Sequence, residues 1–397
     1  MPVVLDHAAP GTAPAIYLDH AATTALRPEA LAAMLPYLSG EHGNPSSPHR
    51  AGRRARAALD ESRESIAAAI GAGPREIVLT SGGTEAANLA LKGAAWAGKA
   101  SGHRIVTSSI EHRAVGQTLR HLEKFGFEIV ELPVDGTGLV DPDELEAALT
   151  DRTILVSVML ANNEIGTVEP IAEIATRVRR HRGVLLHTDA VQAAPWLAID
   201  VAALGVDLLS ISAHKLEGPV GVGALYVRSG THLLAQQHGG SQERYRRAGT
   251  ENVAGAVGFA RAFELAAGER AATVARVESL RDRLREALVA VPGIRETGHR
   301  TERLPNSCSL VLDGVDGTDL VHALDLDHGI ACSTGSACTS GSDEPSHVLV
   351  ALGLEPTAAR GALRLSLGRT TTAEEVERAA AAIPGTVARL RATAPVG

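Results

Sequence analysis

From about residue 76 to residue 228 the chain alternates short, uninterrupted apolar runs with amphipathic stretches, and few architectures accommodate that rhythm. The runs EIVLT (76–80), RIVTSS (104–109), FEIVEL (127–132), TILVSVML (153–160), GVLLHTD (183–189), DLLSIS (207–212) and GALYVR (223–228) read as buried strands. The intervening segments have helical spacing. ALDESRESIAAAI puts Leu59, Ile66 and Ile70 on one face, TEAANLALKGAAWAG follows the first strand, and PIAEIATRVRRHR places Ile171, Ile174 and Val178 on one stripe. Strands apolar on both faces and separated by helices predict a mostly parallel sheet, hence an α/β fold.

The length of 397 residues favours two packed units. An Ala/Glu/Arg-rich stretch from about 254 to 290 predicts one or two helices, and the apolar spacing changes after Pro292-Gly293. We therefore expect a large domain over 27–265 and a smaller α+β domain over 266–397. The smaller one is built on strands SCSLVL (307–312) and ALRLSL (362–367) and on helices DLVHALD and AEEVERAAAAI, and residues 1–26 are expected to pack against it. No fixed-period repeat is present.

Composition excludes several classes of partner. The net charge is −8 and there are only ten aromatic residues (Phe 4, Tyr 4, Trp 2), which argues against phosphate-backbone neutralisation and base stacking, so no direct nucleic-acid partner is expected. The basic cluster Arg50, Arg53, Arg54 and Arg56 is followed at once by Asp60, Glu61 and Glu64 and reads as a solvated helix face. No stretch approaches the roughly twenty apolar residues of a membrane span. The segment MPVVLDHAAPGTAP lacks the features of a secretory signal, so a cytoplasmic location is expected. Cys308, Cys332 and Cys338 are odd in number and form no Cys-x-x-Cys pair, so free thiols are expected rather than a disulfide framework.

Three elements carry chemistry. Ser81-Gly82-Gly83-Thr84-Glu85 lies between a predicted strand and helix, where free amides and the Thr84 hydroxyl can receive a phosphate; the alternative is a plain turn with Thr84 as N-cap. Neither the Gly-x-x-x-x-Gly-Lys motif nor a Gly-x-Gly-x-x-Gly opening accompanies it. Lys215 directly follows a buried strand, where desolvation favours a neutral amine able to condense with an aldehyde, or else it emerges into solvent. Asp189 ends the run VLLHTD, where open α/β sheets bind ligands and a carboxylate can hold a ring nitrogen; the alternative is a helix N-cap. Together, a Schiff-base lysine, a carboxylate and a phosphate cup are the parts that hold pyridoxal phosphate.

The chain resembles the cysteine desulfurases of the NifS/IscS type, within the fold-type-I pyridoxal-phosphate enzymes. The resemblance runs from Tyr17-Leu18-Asp19 to about Thr372. It rests on LDHAATT (18–24), GNPSSPHRAG (43–52), TSGGTEAANLAL (80–91), EHRAV (111–115), NNEIGTVEPI (162–171), HTDAVQ (187–192), SAHK (212–215), RAGTEN (247–252), GSACTSGSDEPSHVL (335–349) and LRLSLGR (363–369). It implies a large domain with a mostly parallel sheet, a smaller domain carrying the Cys338 loop, and a homodimer. Lys215 would bind the cofactor aldehyde, Asp189 its pyridine nitrogen and Gln192 its phenolic oxygen, with His112 stacked on the ring. Gly83, Thr84, Ser212 and His214 would hold the phosphate, helped by Thr250 from the other subunit. Asn163 and Arg364 would bind the substrate carboxylate, the arginine by its planar fork.

The family chemistry is removal of sulfur from L-cysteine to give L-alanine, with Lys215 as base. Cys338 takes the sulfur as a persulfide and passes it to an acceptor protein, for iron–sulfur cluster assembly, tRNA thiolation or DNA sulfur modification. Small residues and glycines around Cys338 suit a mobile loop, and a thiol of pKa near 8.5 is only about 3% ionised at pH 7, so a neighbour such as His112 is expected to activate it. Cys308 and Cys332 are expected to be inert, and Cys332, Cys338 and His347 lack the spacing of a zinc site, so no metal is expected. Glu217 and Val220 depart from the family pattern, which usually has an aromatic or histidine and a lysine there, and Glu217 is expected to alter acceptor choice. The competing readings are a related aminotransferase or selenocysteine lyase, and a non-catalytic scaffold of the same fold.

Overall fold

Buried parallel strands need helices over both faces, and the computed structural model, which describes residues 15–335 and 345–393, has that layered arrangement. β1 (Ile16–Tyr17) leads into α1 (Pro28–Ser39) and α2 (Arg50–Ala69). Alternation follows with β2 (Ile77–Thr80), α3 (Gly83–Gly98), β3 (Arg104–Ser108), α4 (Arg113–Glu123), β4 (Glu128–Leu132), α5 (Pro142–Ala148) and β5 (Thr153–Ser157). It continues through α6 (Ile171–Val178), β6 (Leu185–Asp189), α7 (Val201–Leu204), β7 (Leu208–Ser212) and β8 (Gly223–Val227). The remainder is α8 (Val253–Val289), β9 (Ile294–Glu296), β10 (Ser307–Leu312), α9 (Gly317–His328), β11 (Ile330–Ala331), α10 (His347–Ala351), α11 (Pro356–Ala359), β12 (Ala362–Ser366) and α12 (Ala373–Thr393).

Seven strands form the main sheet in the order β2-β8-β7-β6-β5-β3-β4. Only β8 runs against its neighbours, pairing antiparallel with both β2 and β7. The other pairs are parallel, so the carboxyl ends of β2, β6 and β7 lie at one edge, where open α/β sheets place ligands. Successive strand residues alternate between two cores. Ile105, Leu155 and Leu208 pack with Leu89, Val115 and Leu119 of α3 and α4. Val106, Val156 and Leu209 pack with Leu59, Ile66, Ile174 and Phe259 of α2, α6 and α8. Burial of each such side chain stabilises the fold by about 1.5–3 kcal/mol relative to exposure, which is why these runs tolerate no polar interruption.

A third core surrounds the antiparallel sheet β12-β10-β9 and takes in Ile16 and Leu18 from the N-terminal strand, which pairs in parallel with β11. The stretch expected as one or two helices is a single helix, α8, and the boundary expected between 265 and 266 falls inside it. Its first half gives Phe259 and Phe263 to the main core, and its second half gives Val277, Leu280, Leu284 and Leu288 to the other. The run TILVSVML stops being strand at Ser157, and residues 158–160 continue toward the site while bonded to the carbonyls of His187 and Asp189. The arginines at 50, 53, 54 and 56 lie exposed on α2, with Arg56 paired to Asp60 and Arg54 to Glu41. Among the described residues no helix is long and apolar enough to cross a membrane.

Candidate active site

A cavity of about 290 Å³ opens at the carboxyl edge of the main sheet. Its floor comes from the ends of β6 and β7, which deliver Asp189 and Ser212, and from the turn that follows β7, which carries His214 and Lys215. Gly83 and Thr84 at the start of α3, His112 at the start of α4, and Gln192 line its walls. Asn163 and Arg364 close one side, together with Gly335. Ten of the residues singled out from the sequence therefore share one space. Thr250 does not; it is exposed in a separate cleft with Ser81, Arg247 and Asn252. Cys338 lies outside the described residues.

The N-terminus of α3 has the form of an anion receptor. Its N-cap is Gly82 rather than Thr84, and no side chain caps it, which leaves the first-turn amides for a ligand. Gly82 adopts φ 149°, a conformation open to glycine, and a Cβ on Gly83 would sit 2.7 Å from Val191 Cγ2. Ser212 packs against the same turn, its Cβ 3.5 Å from that position. Substituting either glycine would fill the space or strain the turn.

Asp189 caps a turn, not a helix: Oδ1 accepts from Val191 N at 2.9 Å. Burial raises its pKa, while the charges of His112 and Lys215 pull it down. The net effect is a raised pKa, a burial cost that a cationic partner would offset, so the chemistry of this donor set suits a protonated ring nitrogen. His112 is the N-cap of α4; its Nδ1 accepts from Ala114 N at 3.1 Å, which assigns the ring proton to Nε2. His214 is neutral, its pKa pushed down to about 4 by burial and the nearby charge of Lys215.

Lys215 is half-buried and does not emerge into bulk solvent. Its Nζ donates to the carbonyls of Ala21 and Ala22, each at 2.5 Å, and Gln192 Nε2 donates to the same Ala21 oxygen at 2.8 Å. Arg364 is buried to 3% exposure. Its Nη1 donates to Asn163 O at 3.0 Å and Gly335 O at 2.7 Å, its Nη2 donates to Asp19 Oδ1 at 2.7 Å, and its Nε is buried with no partner. A fork with an unsatisfied N–H is suited to receive a carboxylate.

Several groups at or beside the cavity were given no role in it from the sequence. The strip through Ala21 and Ala22 contributes only backbone oxygens, and Asp19 is a partner of Arg364 across 345 positions of chain. Glu164 carried no signal beyond its motif, yet Ser346 Oγ donates to its Oε2 at 2.5 Å, and a Cβ on Gly335 would lie 3.0 Å from that oxygen. His347 also lines the cavity and meets Glu111 O through Nε2 at 3.0 Å. Cys308 and Cys332 are buried, and burial pushes both thiols up to about 12, the state of inert core cysteines. Among the described residues no cluster of His, Cys, Asp or Glu could hold a metal.

Comparison with known proteins agrees with this geometry. The family model described as aminotransferase class-V matches residues 16–379. The chain is 48% identical over 382 residues to cysteine desulfurase IscS of Methanosarcina thermophila, spanning 96% of this chain and 94% of that one. A solved structure described as a NifS-like protein superposes with a TM-score of 0.89 at 36% identity, covering 95% of this chain and all 100% of the other. Another, described as SspA in complex with cysteine, gives a TM-score of 0.78 at 34% identity over 90% of this chain and 99% of its own.

Proposed function

The chain belongs to the class-V aminotransferase family, and from that membership we propose that it is a cysteine desulfurase that uses pyridoxal phosphate to take sulfur from L-cysteine, releasing L-alanine. The observation that carries the proposal is the meeting of the Lys215 amine, the Asp189 carboxylate and the uncapped start of α3 around one cavity. These residues fit the cofactor. Gly83, Thr84, Ser212 and His214 would hold its phosphate, Asp189 its ring nitrogen, Gln192 its phenolic oxygen and His112 its ring face. When bound, the cofactor supplies an aldehyde for the amine and an electron sink for the substrate carbanion.

The protein's own groups then divide the work. Arg364 binds the substrate carboxylate, with Asn163 beside it, and so orients the α-carbon toward Lys215. Lys215 Nζ removes the α-proton, and the two alanine carbonyls that it meets here hold the amine at the cavity floor. A Cys338 thiolate attacks the substrate sulfur; the S–S bond forms as the Cβ–S bond breaks, and the electron pair remains on carbon. A proton delivered there, with His112 Nε2 as donor, completes the methyl group, and Lys215 returns a proton to the α-carbon to give L-alanine. Cys338 is left as a persulfide, and an acceptor protein takes the sulfur for iron–sulfur cluster assembly, tRNA thiolation or DNA sulfur modification.

The active form is a homodimer in which Thr250 reaches the phosphate site of the other subunit. Two features support this. Thr250 faces solvent away from its own chain's cavity, and Leu31, Leu35 and Leu38 lie exposed along one stripe of α1, with Val220 and Tyr245 also largely exposed.

The test is product analysis. L-cysteine with a thiol reductant should yield sulfide and L-alanine in equal amounts, and Cys338→Ser should keep the yellow colour while sulfide release stops. A Cys338→Ser protein with full sulfide release would remove the persulfide role.

A further inference from the structure

The turn that carries Lys215 is laid along the strip from Ala21 to Arg27. Besides the two lysine bonds, Thr23 Oγ1 meets His214 Nδ1 at 3.1 Å and Thr24 Oγ1 donates to His214 O at 2.7 Å. Glu217 completes the seam: its amide donates to Thr24 Oγ1 at 2.9 Å, and its carbonyl accepts from Arg27 N at 2.9 Å. Its backbone sits at φ 59°, a left-handed conformation that a non-glycine residue holds only where the surroundings impose it.

The side chain of that strained residue reaches the segment that follows β12. Glu217 Oε2 accepts from Arg369 Nε at 2.7 Å. Arg27 Nε is farther from the same oxygen, at 3.9 Å, and its guanidinium is engaged by Glu269 through Nη2 at 2.7 Å, so it does not replace Arg369. The Glu217 side chain is 14% exposed and that of Arg369 33%, so the pair is partly desolvated. Arg369 follows closely on β12, the strand that bears Arg364. Glu217, two residues after Lys215, is therefore bound to Thr24 and Arg27 through its backbone and to the chain segment after Arg364 through its carboxylate.

We infer that Glu217 is a positioning residue for the substrate: its bond to Arg369 fixes the separation between the Lys215 amine and the Arg364 guanidinium. This rests on the reading of Arg364 as the carboxylate-binding group. The α-carbon and carboxylate of an amino acid are neighbours, so the two protein groups must be set within fractions of an ångström of each other to act on one molecule. Neither carboxylate nor guanidinium of the pair lines the cavity that holds Asp189, Thr84 and Lys215, so the test reads substrate binding separately from colour.

The test uses the holoenzyme with Glu217→Gln, Arg369→Gln, the double variant and Arg369→Lys. Each Gln variant should raise KM for L-cysteine, and the dissociation constant of L-alanine read from absorbance, by about five- to tenfold, with kcat within about twofold and the visible spectrum unchanged. The double variant should be no worse than either single one, as for one shared interaction, and Arg369→Lys should recover most of the loss. Unchanged KM in both single variants, additive losses in the double variant, or loss of kcat together with colour would overturn the inference. Arg364→Lys, measured alongside, separates the two levels. If KM does not move there, the carboxylate reading itself fails; if it moves there but not in Glu217→Gln, only the role of Glu217 fails.

Discussion

Arg364 Nη2 lies 2.7 Å from Asp19 Oδ1, so the cation assigned to the substrate carboxylate is already facing a carboxylate of the protein. Two carbonyls, of Asn163 and Gly335, hold Nη1 independently, and the orientation of the fork does not rest on Asp19 alone. Asp19 then acts chiefly as a competing charge. Asp19→Asn should lower the dissociation constant of L-alanine about fivefold, equivalent to about 1 kcal/mol for a partly screened pair. Absorbance titration of the holoenzyme checks this, and weaker alanine binding would contradict it.

Lys215→Ala should abolish the visible absorbance of the holoprotein and all sulfide release. The substitution removes the hydrogen bonds to the carbonyls of Ala21 and Ala22, so the cofactor-free protein should lose about 1–3 kcal/mol of stability. Absorbance spectra and denaturant unfolding measure the two effects separately. A variant with an unaltered spectrum would show that another amine holds the cofactor.

Two buried carboxyls and the buried His187 imidazole are among the groups that shape stability against pH. Burial pushes Glu111 and Glu169 up to about 8 from the ordinary 4.5, so the folded chain keeps protons that the unfolded chain has lost, and stability falls as pH rises between those values. His187, bridged between the hydroxyls of Ser157 and Ser210, is pushed down to about 3 from 6.5 by burial, so stability is lost as pH falls through that window. Between pH 6.5 and 8 only the carboxyls of this set act, each contributing a decline of about 1.4 kcal/mol per pH unit. Glu111→Gln should roughly halve that slope in denaturant unfolding, and an unchanged slope would mean that Glu111 is ionised in the folded protein.

Thr250→Ala should weaken cofactor retention without altering the spectrum at saturation. Mixing this variant with Lys215→Ala tests whether the residue works in trans. Each mixed dimer would have one cavity with its own Lys215 and an intact Thr250 from the neighbour, so such dimers should regain cofactor affinity at that cavity. If retention in the mixture equals that of the variants apart, Thr250 acts within its own chain or not at all.

Much of this fold could be read from the sequence because parallel strands covered on both faces leave uninterrupted apolar runs. SCSLVL is β10 to the residue, and DLLSIS gives β7 with Asp207 left outside the strand. The reversal of β8 was illegible, since the run GALYV looks the same in either direction. The long Ala/Glu/Arg-rich stretch left open whether it held one helix or two, because a single element serves one core at Phe263 and another from Val277. The Gly83-Thr84 turn, Asp189 and Lys215 could be singled out from their places at a helix start and at strand ends, whereas His112, Asn163, Gln192, Thr250 and Arg364 came only from the family resemblance. Asp19 was not legible, because its significance comes wholly from Arg364, which local spacing does not bring near it.

The passage of α8 from one core to the other makes its middle intolerant of gaps. Adding or deleting a single residue between Phe263 and Val277 would turn everything beyond by about 100° and shift it by about 1.5 Å. Arg276, which donates to the carbonyls of Arg369 and Thr371, would be swung off those acceptors. Length variation during divergence should therefore collect in the surface loops and leave this shaft at constant length, even where nearly every side chain along it has been exchanged.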